Sequence, residues 1–387
     1  MTYNLHESQQ KVRDWVRPFC EKEVKPMALK LDRRPEPAQF PFDYYRKLAD
    51  YGLIGFFMPK ELGGGGGTKL ETTTLVEELA YYDPPTSLLA AVSSLASYPI
   101  EVFANPEQKK KYVPKIASGE YVAAYALTEP QAGSDAGNQH TTARIDGDCL
   151  VINGEKIFIM HGDVADIYVV FCKIVENGSA EAGKRDISAV LVEKGTPGLK
   201  AKTLEYKMGM KCATTARVWF ENCRVPVKNI LGERGKGFRI ALTTLEGARI
   251  TIGGQAVGIA QRAFDEAVKY AKGRICFGAP IAKLQAIQWM IADMGTQLEA
   301  ARLMTYKAAQ IYDSGVKSTL ESSQAKLFST EVARFCVDRC VQIHGGYGYI
   351  GEFNEIEKLY RDQRLIEIYE GTSEIQRLVI AGAYLKG

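Results

Sequence analysis

The chain has 387 residues, 46% of them hydrophobic and 25% charged, with Lys+Arg 49 against Asp+Glu 46 and a formal net charge of +3. The length calls for two or three domains, and the composition is that of a soluble globular protein. So even a charge balance argues against the concentrated basic surface a nucleic-acid partner needs, while leaving room for a local pocket around a phosphorylated ligand.

The first residues, "MTYNLHESQQKVRDW", alternate charged with apolar residues. They read as helix, not as a secretory leader. No run of about 18 apolar residues follows, so no membrane span is expected. The stretches "ESQQKVRDWVRPFCEKEV", "FPFDYYRKLADYGL" and "ETTTLVEELAYYD" repeat apolar residues every three or four positions, each behind a polar residue that can cap. "PKELGGGGGT" is a loop; its glycines could cradle a phosphate, but a flexible surface connection is the expectation.

Near Tyr121 the pattern changes. "YVAAYALTE", "DCLVINGEKIFI", "DIYVVFCKI", "DISAVLVEK" and "ARVWFENCRVP" are rich in β-branched and aromatic residues, with turn signals at Asn153-Gly154 and Asn177-Gly178. No long helix fits between them, which predicts an antiparallel sheet or small barrel. After "LGERGKGF" three long helical patterns return, the first apolar on more than one face as a buried bundle helix is. The fold class is therefore α+β: an N-terminal helical domain (1–119), a middle antiparallel β domain (120–231) and a C-terminal helical bundle (232–387). The eight cysteines are scattered without CxxC, and the four histidines do not cluster. A metal site is not expected; reduced, buried thiols in a cytoplasmic or similar compartment are.

Three stretches bear on chemistry. Gly346–Gly351 matches GxGxxG, but it follows a helix where a dinucleotide fingerprint must follow a strand. "YALTEPQAGSDAG" (125–137) runs a strand into hydroxyls and freed amides, suited to a flat hydrogen-bonding ring or simply to a turn capped by Ser134 or Asp135. "LIEIYEGTSEIQ" (365–376) sets Glu370 directly after apolar residues, either as a solvated helix cap or as an acid in a dry pocket.

With "NGEKIFIMHG", "KMGMKCATTARVWFENCRVP", "AVGIAQRAFDEAVKYAKGRICFGAPIAKLQAIQ" and "QIHGGYGY", these stretches resemble the acyl-CoA dehydrogenase family of flavoproteins over nearly the whole chain. The resemblance implies an N-terminal α domain, a middle β domain and a C-terminal four-helix domain, assembled as a homotetramer. It implies FAD as cofactor, an acyl-CoA substrate and an electron-transferring flavoprotein as partner. Glu370 would remove the α-proton of the thioester while the β-hydrogen leaves as hydride to flavin N5, giving the 2-enoyl-CoA. A free Glu is a weak base, with a pKa of about 4.3; exclusion of water strengthens it, and backbone N–H donors on the thioester carbonyl, that of Glu370 among them, acidify the α-proton. Glu367 is the nearest decoy. Some relatives carry the base one residue before the Arg of "LEGAR"; here that residue is Ala248.

The resemblance also assigns contacts. Tyr125, Leu127, Thr128 and Ser134 match the flavin strand and turn, Ser134 also lying near substrate. Phe158, Ile159 and Met160 match the segment beside the flavin ring. Arg274, Cys276, Phe277 and Gln285, with Gln342, Ile343, Gly345 and Gly346, match contacts to the diphosphate and adenosine across a subunit boundary. Thr372, Ser373 and Glu374 match flavin contacts after the base; Glu246, Arg249 and Gly371 match substrate contacts. Each has a structural alternative: Arg249 and Arg274 as surface salt-bridge residues, a lesser reading than the ligand contact, and Ile343 and Phe277 as core. Several residues depart from the family: Phe158 for Trp, Met160 for Thr or Ser, His161 for Asn, Glu246 for Asp, Cys276 for Thr and Glu374 for Gln. Met160 has no donor to offer near flavin N5.

Small residues in "SLLAAVSSLASYPI" and at Gly253-Gly254 either leave volume for a branched or cyclic acyl group or permit close helix packing. The expectation is a short- or medium-chain, branched or cyclic acyl-CoA. Alternatives are an oxidase, an enoyl-CoA-reducing relative, or a silent acyl-CoA- or flavin-binding scaffold.

Overall fold

The apolar periodicity of the first third does build helices. They are α1 (Glu7–Phe19), α2 (Lys25–Asp32), α3 (Phe42–Asp50), α4 (Lys69–Tyr82), α5 (Pro84–Phe103) and α6 (Pro106–Ala117) in a computed structural model that describes residues 6–35, 38–175 and 186–385. The Asn177-Gly178 turn signal lies outside the described residues. The stretch 7–24, which reads as one helix, carries a π-helical turn at Cys20–Val24. α4 starts at a reciprocal cap, Thr68 bonding the Glu71 N–H at 3.2 Å while Glu71 bonds the Thr68 N–H at 2.8 Å. α3 starts at Pro41 without a side-chain cap. By length and composition α5 could cross a membrane. Its Leu88, Leu89, Ala96 and Ile100 are instead buried in the protein core.

The glycine run is neither flexible nor a phosphate cradle. Its N–H groups at Gly65, Gly66 and Gly67 donate to the carbonyls of Gly55, Met58 and Phe56 at 2.9, 2.8 and 2.9 Å. A side chain at Gly64 or Gly67 would overlap Met58 or Phe56. The segment is a packed return that glycine alone fits.

The middle strands are β1 (Ala123–Ala126), β2 (Thr142–Asp146), β3 (Cys149–Met160), β4 (Ile167–Val175), β5 (Ile187–Glu193), β6 (Leu199–Thr203), β7 (Thr215–Pro226) and β8 (Ile230–Leu231). They form one sheet in the order β6-β7-β3-β2-β4-β5-β8, with β1 also on β4. Most pairings are antiparallel as expected, but β1 and β2 both run parallel to β4. β1 pairs with Ile167–Val170 and β2 with Lys173–Val175. The two thus share the side of β4 that faces away from β5, and residues 127–141 are an excursion between them.

The chain then enters α7 (Gly237–Gly273), the short hairpin β9 (Ile275–Cys276) and β10 (Ala279–Pro280), α8 (Gln285–Asp313), α9 (Thr319–His344), α10 (Gly346–Tyr349), α11 (Ile356–Ile366) and α12 (Ser373–Leu385). α7, 37 residues and about 55 Å long, is buried along most of its middle. Its small residues serve helix packing rather than an open pocket. A Cβ at Gly254 would stand 2.6 Å from the Thr73 carbonyl oxygen of α4, and one at Gly253 would stand 3.0 Å from Thr305 Oγ1 of α8. At Gly258 a Cβ would overlap the Glu77 carbonyl. Gly258→Ala is therefore expected to destabilise the protein by about 1–3 kcal/mol in urea unfolding. Gly382→Ala in α12, which has open space around it, should be neutral or stabilising by up to about 1 kcal/mol.

α11 is held by all three regions. Lys358 Nζ bonds Asp83 at 2.6 Å and Asp362 at 2.7 Å, both buried, and Asp362 accepts from the Met210 N–H at 2.5 Å. Arg361 grips Asp32 through two bonds of 2.9 and 2.6 Å. The turn that follows α11 carries Glu370, so it leaves a pinned helix end.

Candidate active site

The excursion 127–141 owes its shape to one buried cation. Lys156, fully buried in β3, donates to the Leu127 carbonyl at 3.0 Å, Glu129 at 2.8 Å and Gln139 at 3.2 Å. Glu129 in turn accepts from the N–H groups of His140 and Thr141 at 2.5 and 3.0 Å. Burial pushes the Glu129 carboxyl up, but Lys156 and these bonds outweigh it and leave it below the ordinary range. This frame sets Tyr125, Leu127 and Thr128 at the end of β1 and exposes Ser134 on the loop. Thr128 is tied to β3 by the Ile157 N–H at 2.9 Å.

Beside it, β3 shifts register against β7 between Lys156 and Ile159. Phe158 sits there at φ 59° and is 64% exposed, while Ile159 is buried and Met160 packs against the helical core. A large aromatic ring held outward in left-handed backbone is a strained arrangement of the kind functional sites keep. His161 follows, also left-handed and fully buried at 5.0 Å from the Phe40 ring. Neither ring nitrogen has a hydrogen-bond partner, and burial lowers its pKa to about 3, so the imidazole is neutral.

Glu370 has φ 55° and Gly371 φ 92°. This double left-handed turn is held by its two carbonyls. That of Glu370 accepts from Arg249 Nε at 3.4 Å and Gln376 Nε2 at 3.2 Å; that of Gly371 accepts from Lys326 Nζ and Gln376 Nε2, both at 2.8 Å. The Glu370 carboxylate itself is left free: Oε2 is buried and has no partner. Burial pushes its pKa up to about 7, against the pull of Arg249 and Lys326. The Tyr125 hydroxyl, which donates to the Ala241 carbonyl of α7 at 3.4 Å, is pushed well up by burial and, to a lesser extent, by the charge of Glu370.

Glu367 is the contrasting case. Its carboxylate takes Arg334 at 3.1 Å and Gln363 at 2.7 Å, so it is a structural ion pair. Arg249 is not a surface residue; it is 6% exposed and also bonds Ser323 at 3.2 Å. Glu246 is engaged with the start of α9, accepting from the Ser318 N–H at 2.7 Å and the Thr319 hydroxyl at 3.0 Å. Thr372 caps α12 through the Ile375 N–H, and Glu374 is exposed on its first turn.

The remaining residues form a second, outward cluster. Phe277 and Gly278, both left-handed, make the β9–β10 turn, and Phe277 is 95% exposed, so it is not core. Arg274 lies over the Tyr347 ring at 5.5 Å. Cys276 is partly buried, and Gln285, Gln342, Gly345 and Gly346 are exposed. Ile343 is buried in the core, so its side chain faces inward. Along α9, Lys326 and Gln342 lie about 24 Å apart, and along α7 Arg249 and Arg274 about 37 Å. The structure brings Arg249 to the Glu370 turn and leaves the Arg274–Gly346 group at the far end of the bundle. GxGxxG at Gly346 opens only a four-residue helix after α9, as its context demanded.

The residues fit a flavin beside a substrate. Three buried polar atoms at the Glu370 turn, Glu370 Oε2, Ser373 Oγ and Gln376 Oε1, have no protein partner. Buried polar atoms are normally bonded, so a bound molecule is the natural partner. Sequence reading missed Lys156, Lys326 and Gln376. Lys326 carries a visible signal: it occupies a stripe with Ser322, Ser329 and Ala333 at helical spacing, all fully buried.

Comparison with known proteins defines the class. The acyl-CoA dehydrogenase N-terminal, middle and C-terminal domain profiles match residues 6–120, 124–223 and 235–385. The chain belongs to the acyl-CoA dehydrogenase family, whose members are flavin-dependent oxidoreductases. A protein of Anaerotignum propionicum described as acryloyl-CoA reductase (NADH) is 43% identical, covering 100% of this chain and 96% of its own. A short-chain specific acyl-CoA dehydrogenase of Clostridium acetobutylicum is 43% identical, covering 99% of each. A chain solved under the description "Electron transferring flavoprotein of Acidaminococcus fermentans: Towards a mechanism of flavin-based electron bifurcation" superposes with a TM-score of 0.93 at 41% identity, covering 100% of both.

Proposed function

We propose that the chain desaturates a short acyl-CoA thioester between its α and β carbons, with FAD as cofactor and Glu370 as the base. The observation that carries this reading is the unpartnered, desolvated Glu370 carboxylate on a strained turn whose own carbonyls are tied off. Its pKa of about 7 suits proton transfer near neutral pH. The flavin, when bound, accepts the β-hydrogen as hydride. Tyr125, Leu127, Thr128, Ser134, Phe158, Ile159 and Met160 would hold its ring; Thr372, Ser373 and Glu374 would hold it from the turn.

Tyr369 limits the acyl length. Its hydroxyl donates to Gln255, whose amide donates to Ser87 at 2.8 Å, a polar chain that starts at the residue before the base. A long alkyl tail would have to displace it and leave its groups unpaired, which costs about 1–3 kcal/mol per group. The likeness to a short-chain enzyme agrees. Arg274, Cys276, Phe277, Gln285, Gln342, Ile343, Gly345 and Gly346 lie too far from Glu370 to hold the same flavin ring. They would hold the adenosine side of a neighbouring subunit's FAD, which favours a homotetramer.

Electrons would pass to an electron-transferring flavoprotein, as the solved relative's description suggests. The likeness to an acryloyl-CoA reductase supports a second reading, net reduction of an enoyl-CoA, in which protonated Glu370 returns the proton to the α-carbon. Anaerobic titration of the yellow protein decides. Butyryl-CoA should bleach the oxidised flavin band and a twelve-carbon thioester should do so at least about tenfold less effectively. Crotonyl-CoA or acryloyl-CoA should restore the band of reduced protein. Absence of bleaching by any linear, branched, cyclohexyl or dicarboxylic thioester would overturn the desaturation reading.

A further inference from the structure

Lys326 is a buried cation with no carboxylate at ion-pair distance among the described residues. Its side chain is fully enclosed on α9, and its ammonium donates to the Gly371 carbonyl at 2.8 Å. Around it on the same helix lie Ser322, Ser323, Ser329 and Thr330, all neutral and buried. A second buried cation, Arg249 on α7, reaches the same turn and donates to the carbonyl of Glu370. Two like charges in one dry site are unfavourable unless they serve an anion. The anion of that turn is the Glu370 carboxylate, which is half-buried with its Oε2 enclosed and without a bonded partner. A carbonyl alone does not need an ammonium; Gln376 already meets both carbonyls with a neutral amide.

We propose, resting on the reading of Glu370 as the base, that Lys326 is a positioning residue: its ammonium clamps the left-handed Glu370–Gly371 turn and its charge keeps the Glu370 carboxylate ionised in the dry site. The charged and titratable groups facing Glu370 are Arg249 from α7, Lys326 from α9, Tyr125 from β1 and the adjoining Tyr369. Glu367 and Glu374 also act on Lys326, but Glu367 is already paired and Glu374 is exposed. Burial lowers the pKa of Lys326 to about 8, which leaves it charged at neutral pH. Below that pH the two cations oppose the desolvation of Glu370. When Lys326 loses its charge, Arg249 alone remains to do so.

The test separates clamp from charge. Lys326→Gln keeps a donor for Gly371 and removes the charge; Lys326→Arg keeps the charge. In the holoenzyme, the rate of flavin reduction by butyryl-CoA is followed against pH. The acid limb of Lys326→Gln should move up by about one pH unit or more, with most of the high-pH rate retained, while that of Lys326→Arg stays with the wild type. A limb unmoved in Lys326→Gln, with only a lower melting temperature, would reduce Lys326 to a structural role and overturn the proposal. Should Lys326→Gln not fold, coupling is read from the other side by NMR of selectively labelled lysine. Coupling is reciprocal, so Lys326 should titrate at lower pH in Glu370→Gln than in the wild type, and an identical titration overturns the proposal. Wild-type turnover in Glu370→Gln would sink the base assignment and this proposal together. An inactive Glu370→Gln with an unmoved limb in Lys326→Gln would sink this proposal alone.

Discussion

Glu370→Gln should lower turnover by about 10³- to 10⁴-fold while the purified protein stays folded and yellow. The amide keeps the size and the left-handed turn but accepts no proton, and the turn is held by backbone carbonyls that the substitution does not touch. The same variant should be more stable than the wild type at alkaline pH. Burial raises Glu370 from 4.5 to about 7, so the folded state binds its proton more tightly than the unfolded chain. Wild-type stability from this group is therefore greatest below pH 4.5 and is lost as pH rises through 7. The loss is on the order of 3 kcal/mol, from the difference between those two values. Melting curves should show the variant ahead of the wild type above pH 7 and the gap closing in acid. Glu367→Gln should behave oppositely, losing the ion pair to Arg334 and some stability while retaining chemistry.

Lys156→Met should be the most damaging substitution away from the base. It leaves Glu129 buried without its cation, and removal of one partner from a buried pair costs about 3–5 kcal/mol. It also frees the Leu127 carbonyl and Gln139, the anchors of the excursion that presents Thr128 and Ser134. The urea midpoint should fall by that amount, and flavin should be lost on gel filtration. Adding Glu129→Gln to Lys156→Met should recover part of the stability, because the stranded charge is gone. A Lys156→Met protein of wild-type stability that retains its flavin would show that the excursion is held by something other than this cation.

Much of this was legible because the signals are local. Helical periodicity located α1, α4, α7, α8 and α9, and β-rich runs separated by turns located the sheet. "YEGTS" pointed to Glu370 through the family resemblance; the apolar residues ahead of it did not fix its surroundings, since Ile366 is buried while Ile368 is 47% exposed. What was not legible depends on partners distant in sequence. Nothing near Tyr125 or Thr142 shows that both strands would lie parallel to β4, because that pairing is decided by the 15-residue excursion between them. The glycine run looked flexible because its partners, Gly55, Phe56 and Met58, precede it in a segment with no regular pattern. Gly253 and Gly254 left pocket space and helix packing both open, because a small residue has the same sequence signature whether a ligand or a helix approaches it; the structure gives helix packing. Lys156 and Lys326 look like ordinary surface lysines until the structure surrounds them.

Proton abstraction can be isolated from redox chemistry. An acyl-CoA analogue with sulfur at the β position has no hydride to give, yet retains its α-protons. Incubated with the protein in D₂O, it should gain deuterium at the α-carbon with the wild type and only at the uncatalysed rate with Glu370→Gln, read by proton NMR. Equal incorporation with both proteins would mean that another group takes the proton and that Glu370 is not the base.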